Sequence, residues 1–286
     1  MRLPAPAFGG DAYAIGSFQR IPGLGRFHET SAEMALRTLQ SIRQNDDGTR
    51  MTRTTHRALL VVLALLVLPA VATAKQARPY APSEQQSFDA VLTDWTAIAK
   101  APGGKSVFEM QAETFYRAKQ QRLLVLEARD VSGERWLKVR LPAWFSHGMT
   151  AGWLRAKGVD LRVNRWRVEI SRAAGTLKLV HDGRVVRTAH VGTGTESTPT
   201  PVGLHATYDH WRSNHAVLGD WTVSLTTHSP QVPVFDGMQA VVAIHGWHAG
   251  GGGSGSVSHG CLRVSDDSLM RTVALELPMG TPVQVT

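Results

Sequence analysis

The chain of 286 residues contains a single cysteine, Cys261. One thiol cannot close an internal disulfide, so no covalent staple holds the fold. No cysteine stands near the tripeptide Ala72-Thr73-Ala74, which argues against a lipid-anchored lipoprotein. No internal repeat is evident. Nothing resembles a nucleic-acid motif, so the net charge of +8 is not read as a nucleic-acid footprint, and no nucleic-acid partner is expected. The apolar run Ala58–Ala72 is short for a membrane span, which takes about 20 residues. Acidic residues number 23 against 31 basic ones, a balance that suits anionic surroundings such as a membrane surface or an acidic polymer, or simply a basic soluble protein. No cofactor is required by any motif in the chain.

What is present begins with an address. Met51-Thr-Arg-Thr-Thr-His-Arg57 is a basic start, Ala58–Ala72 an apolar run, and Ala72-Thr73-Ala74 an A-x-A exit before Lys75. Charge, length and exit residues together describe a Sec-type signal peptide over 51–74. It implies export to the periplasm, cell wall or exterior, with no integral membrane domain after cleavage. An uncleaved anchor is the alternative. A signal peptide should begin a chain, so residues 1–50, rich in Gly, Pro and Arg, read as a mis-assigned or disordered extension, with Met51 as the true start. Residues 75–87, with Pro79 and Pro82, read as a linker.

Hydrophobic content is 43%, enough for a folded core, and the length favours two compact units. Between 88 and 163 the pattern is short strands with turns at Pro102-Gly103-Gly104 and at Asp130 to Glu134. Trp136 and Trp153 are expected in its core. From 164 to 286 strands predominate again. Asp182-Gly183 between two apolar runs predicts a hairpin, and Thr198-Pro-Thr-Pro201 a stiff corner. Ser265 to Leu277 predicts a helix capped by Ser265 and stopped by Pro278, with Leu269, Val273 and Leu277 facing the sheet. The fold class is therefore mainly β, with one helix near the C-terminus.

Chemistry concentrates in the stretch from Ala243 to Arg263. Val241, Val242 and Ile244 lead into His245-Gly246. A glycine-rich loop then precedes Ser258-His259-Gly260-Cys261-Leu262-Arg263. A thiol attacks carbonyls as a thiolate and is mostly protonated at neutral pH. An imidazole can take that proton and return it to a leaving group. Adjacent strands joined by a glycine loop could bring positions 245 and 261 together. Amides around Gly260 and Cys261 could face an oxyanion. A lone cysteine is usually a small buried hydrophobe, but its neighbours here are His, Gly and Arg. A zinc site is the other alternative, since His245, His248, His259 and Cys261 are four possible ligands.

His245-Gly246 followed by Ser258-His259-Gly260-Cys261-Leu262-Arg263 resembles the signature of the L,D-transpeptidases, the YkuD-type catalytic domain. The likeness extends to Ser197–Gly203 upstream and Pro278–Val283 downstream, roughly the last 120 residues. The resemblance implies a β-sandwich catalytic domain over 164–286. It implies Cys261 as nucleophile, His245 as base and the Gly246 carbonyl as its orienting partner. His259 and Gly260 would shape the oxyanion loop, and Ser258 and Arg263 would anchor the loop or the substrate. No metal enters that scheme. The implied partners are peptidoglycan stem peptides, as donor and acceptor, and carbapenem inhibitors. The implied reaction is transfer through a thioester to form 3-3 cross-links; an L,D-carboxypeptidase or a non-catalytic wall-binding protein are the rivals. Residues 88–163, through Glu134–Pro142 and Gly152-Trp153-Leu154, resemble a bacterial SH3-like barrel, which would imply a wall-binding or spacer module.

Overall fold

A computed structural model describes residues 80–286, except 115–118, 144–147, 214, 216, 233, 236, 237 and 250–252. The segments read as an extension (1–50) and a signal peptide (51–74), and the first part of the segment read as a linker, lie outside the described residues.

Alternating apolar positions and tight turns build the first sheet. Its strands are β1 (Ser87–Leu92), β2 (Thr96–Ala99), β3 (Ser106–Met110), β4 (Arg122–Val131), β5 (Glu134–Arg140), β6 (Ala151–Arg155) and β7 (Val159–Asn164). They pair antiparallel in the order β3-β2-β6-β5-β4-β1-β7. The β4–β5 turn is two residues long, with Ser132 and Gly133 both at positive φ (51° and 79°). Two consecutive left-handed residues match the twist of the flanking strands. Leu92, Ile98, Leu123, Leu137 and Leu154 fill a core confined to this sheet. Trp136 and Trp153, each 5% exposed, pack with Ala99 beside it, as expected of structural tryptophans.

The second sheet starts at once. Its elements are β8 (Trp166–Ser171), β9 (Thr176–His181), β10 (Arg184–His190), β11 (Gly192–Gly194), β12 (Gly203–Arg212), β13 (Trp221–His228), the small hairpin β14 (Val234–Phe235) and β15 (Met238–Gln239), β16 (Val241–Gly246), β17 (Gly255–Ser258), β18 (Leu262–Val264), helix α1 (Asp267–Leu275) and β19 (Pro282–Val285). The large sheet runs β10-β9-β8-β19-β12-β13-β16-β18-β11-β17. It is mixed: β19 lies parallel to β8, β18 to β16 and β17 to β11. The Asp182-Gly183 hairpin is a two-residue turn with both residues at positive φ (50° and 73°), as the dipeptide predicts.

Helix α1 lays Leu269, Met270, Val273 and Ala274 onto a core of Val223, Ile244, Leu262 and Val264. Leu277 follows it into the same core. The cap differs from the expectation. Asp266, not Ser265, is the N-cap: its backbone is extended and its carboxylate accepts from the Leu269 amide at 3.0 Å. Both residues are good caps, and Arg187, bonded to Asp266 at 2.8 Å, favours the second.

A polar seam joins the sheets. Asp89 on β1, fully buried, accepts from Arg122 at 2.7 Å and from Asn164 at 3.2 Å. Asn164 also donates to Thr281 Oγ1, in the turn before β19, at 3.0 Å. Gly280 sits at φ +85°, and a Cβ there would come within 2.7 Å of the Asp89 carboxylate. Burial raises the Asp89 pKa to about 6 despite the opposing pull of Arg122 and Asn164. Further along, Tyr208 donates its hydroxyl to Gln121 Oε1 at 3.0 Å, and Lys119 Nζ lies 2.6 Å from His210 Nε2.

Candidate active site

His245 is delivered by β16, a run of β-branched and small residues buried between β13 and β18. Cys261 stands immediately before β18. Strand pairing sets Ile244 opposite Leu262 and His245 opposite Arg263 in a parallel register. Side chains alternate along a strand, so Cys261, two residues before Arg263, falls on the same face as His245. One strand spacing sideways and two residues along gives a Cα separation of about 8 Å. The two groups that the sequence singled out are diagonal neighbours on one face.

The imidazole is oriented. His245 Nδ1 lies 2.7 Å from the Gly246 carbonyl, which can only accept, so Nδ1 carries the proton and Nε2 is left as the base. His245 is 4% exposed, and burial lowers its pKa; the Gly246 hydrogen bond raises it and the nearby Arg263 charge lowers it further. The resting imidazole is neutral. Cys261 is half-buried, with Sγ 4.0 Å from the Val241 carbonyl. Burial pushes its thiol upward, against the Ala243 backbone amide and the Arg263 charge, which lower it. Both shifts favour the uncharged forms, thiol and neutral imidazole.

Cys261 is held by hydrogen bonds around it. Ser258 donates its hydroxyl to the Cys261 carbonyl at 2.6 Å and accepts from the Gly260 amide at 3.1 Å. The Gly260 amide is therefore engaged inside the loop. Gly260 itself is at φ +112°, a conformation open to glycine. His259 is exposed. Arg263 stacks on Trp247, its guanidinium carbon 3.7 Å from the ring centroid. His248 is bound to Asp267 at 2.8 Å, which raises its pKa and ties the start of the glycine loop to the first turn of α1. Among the described residues no three His, Cys, Asp or Glu gather as metal ligands, so the four zinc candidates are not assembled.

Three contributors escaped the sequence reading. Thr200, in the Thr198–Pro201 corner, donates to the Gly260 carbonyl at 2.9 Å and accepts from the Gly194 amide at 2.9 Å. Thr198 reaches the Ser258 carbonyl at 3.1 Å. The stiff corner braces the loop before Cys261; the proline–threonine alternation and the likeness over Ser197–Gly203 were its signals. Gly219 is the third. It sits at φ +62°, where a Cβ would lie 2.5 Å from Gly246 Cα, so it is the floor under the carbonyl that orients His245.

Residues 165–285 match the family model of the L,D-transpeptidase catalytic domain, YkuD. Over that stretch the chain is similar to the YkuD-type L,D-transpeptidase catalytic domain. A comparison with curated proteins finds no match. Among solved structures the chain is similar to an L,D-transpeptidase of Enterococcus faecium, at 19% identity over 42% of this chain and 49% of that one, TM-score 0.33. It is also similar to an L,D-transpeptidase of Xylanimonas cellulosilytica, at 28% identity over 42% of this chain and 60% of that one, TM-score 0.30. A third is an L,D-transpeptidase from Mycobacterium smegmatis, at 16% identity over 57% of this chain and 99% of that one, TM-score 0.33. The chain spans about half the length of the Enterococcus structure. The residues that carry the likeness are those that β16, β18 and the Thr198–Pro201 corner bring together.

Proposed function

We propose that this protein is an exported peptidoglycan L,D-transpeptidase whose nucleophile is Cys261. The observation that carries the reading is the tautomer of His245: Nδ1–H held on the Gly246 carbonyl, Nε2 free, on the same face as the thiol. Nε2 takes the Sγ proton as sulfur attacks the carbonyl before the last residue of a tetrapeptide stem. The C–N bond breaks, and the imidazolium returns the proton to the departing D-alanine amine. A thioester remains. The side-chain amine of a second stem attacks it, forming an amide between two third-position residues and regenerating the thiol. Because the Gly260 amide is engaged by Ser258, the Cys261 amide is the donor assigned to the oxyanion. Arg263, stacked on Trp247, is assigned to anchoring the loop beside the substrate. Export through the segment 51–74 and an SH3-like spacer or wall-binding role for the first sheet belong to the same reading.

The test is mass spectrometry of the mature protein after incubation with a disaccharide-tetrapeptide or a carbapenem. The expected result is an adduct on the peptide bearing Cys261, lost in Cys261→Ala, together with a dimeric muropeptide product. Turnover surviving Cys261→Ala would remove the mechanism. A monomeric tripeptide product alone would make the enzyme a carboxypeptidase.

A further inference from the structure

A second recess lies where the two sheets meet, away from the thiol. It is a cavity of about 250 Å³ whose lining includes Trp95, Glu109, Gln111, Glu113, Gln121 and Tyr208. Three features set it apart. Trp95, in the turn between β1 and β2, is 64% exposed, although an indole is normally drawn into a core; Trp136 and Trp153 in the same sheet are 5% exposed. Gln121 and Tyr208 are buried and locked: Tyr208 donates to Gln121 Oε1 at 3.0 Å, and Gln121 Nε2 donates to the Gln111 carbonyl at 3.2 Å. No basic side chain lines the cavity among the described residues, in a chain of net charge +8. The recess thus offers one flat apolar face and a ring of amide and carboxylate groups rich in hydrogen-bond acceptors.

We propose that this cavity is a saccharide subsite that holds the glycan strand while the stem peptide reaches Cys261. A pyranose ring has an apolar C–H face that stacks on an indole, and hydroxyls around its rim that donate to carboxylates and amides. The recess supplies both, on residues positioned by the fold. Its place fits as well. Tyr208 adjoins Asp209 on β12; Asp209 pairs with Ser224, Ser224 with Ala243, and Ala243 lies beside Cys261. Three strand spacings separate β12 from β18, about 14 Å. Three residues lie between the attacked carbonyl and the sugar, and extended they span about 10–11 Å. A stem whose third carbonyl is at the thiol therefore carries its sugar most of the way across these strands, toward the cavity. The proposal rests on the acyl-transfer reading given above and adds the part of the substrate that the catalytic loop does not touch.

The experiment uses the full chain and two probes. Isothermal titration with chitotetraose should show binding that Trp95→Ala and Glu113→Gln each weaken at least tenfold. Steady-state turnover of disaccharide-tetrapeptide should show KM raised about tenfold in both variants with kcat unchanged. Glycan-free tetrapeptide should be turned over alike by all three proteins. Trp95 and Glu113 are exposed, so folding is not at issue. Chitotetraose binding that is absent, or indifferent to Trp95→Ala, would overturn the proposal. So would preference for a lysine ester over chitotetraose, which would make the acidic recess an amine site. Carbapenem acylation of Cys261 is followed separately: its failure with Trp95-dependent saccharide binding retained sinks the acyl-transfer reading and leaves the saccharide site standing.

Discussion

At the scale of residues, the site depends on one carbonyl, that of Gly246, which fixes the His245 tautomer. Gly219 supports it from below at backbone contact. Gly219→Ala should push Gly246 away and disorient the imidazole. A misplacement near 1 Å is enough to lower a rate about 100-fold, so kcat should fall to that extent while the protein still folds, checked by steady-state kinetics beside circular dichroism. Full activity in that variant would show the contact to be irrelevant. The pH dependence follows from the neutral resting pair. Burial holds the His245 pKa below its ordinary 6.5, so protonation removes the base only on the acid side of that value. The acid limb of kcat/KM should therefore have its midpoint below 6.5. Burial raises the thiol above its usual 9, so alkylation of Cys261 by iodoacetamide in the absence of substrate should keep rising beyond pH 9. A plateau near neutrality would mean an ion pair at rest instead. The proposed nucleophile and base, Cys261 and His245, stand out in the sequence because residue type and order alone mark them. Gly219 was not, because its role is a contact with a strand distant in the chain.

At the scale of elements, hairpins and the helix were legible and the brace was not. Asp182-Gly183 is a local instruction, since both residues tolerate positive φ. Leu269, Val273 and Leu277 repeat with a helical period, and all three are buried. The cap slipped by one residue because Ser265 and Asp266 satisfy the same local rule, and the choice falls to Arg187, nearly eighty residues upstream. Thr200 is invisible to any local rule, because its partners are Gly194 and Gly260, the latter on the far side of the sheet's long crossover. Thr200→Val keeps the shape and removes both bonds. A lost buried hydrogen bond leaves an unsatisfied group, at about 1–3 kcal/mol. The expected outcome is a domain that still unfolds cooperatively, at a lower midpoint, and acylates Cys261 more slowly because Gly260 is no longer tied. Unchanged acylation would separate the corner from catalysis. The axial order of the strands was beyond the sequence too: periodicity says which faces are buried, not which strand lies beside which.

At the scale of the whole molecule, each sheet has its own core, and the seam between them is polar. Asp89 is the centre of that seam. Its folded pKa of about 6 exceeds the unfolded value of 3.8, so the folded state binds more protons between these values. Its contribution is fully present below pH 3.8 and is lost as pH rises through 6. Denaturant melts should accordingly show a loss of stability from pH 4 to 6 that Asp89→Asn abolishes. An identical slope in the variant would place the titration elsewhere. His245 contributes with the opposite sign, since its folded pKa lies below the unfolded 6.5, so the comparison must be made between variants and not read from the parent alone.

The strand β19 lies between β8 and β12, in the middle of the large sheet, yet residues 282–285 are made after every other strand of it. Until they arrive, the ribbon β10-β9-β8 has no strand partner in the half that bears His245 and is joined to it through Val191, between β10 and β11, whose amide bonds the Gly175 carbonyl. A ribosome that has reached residue 275 has therefore delivered His245 and Cys261 and still no finished large sheet. The large sheet is therefore closed only when residues 282–285 take their place between β8 and β12.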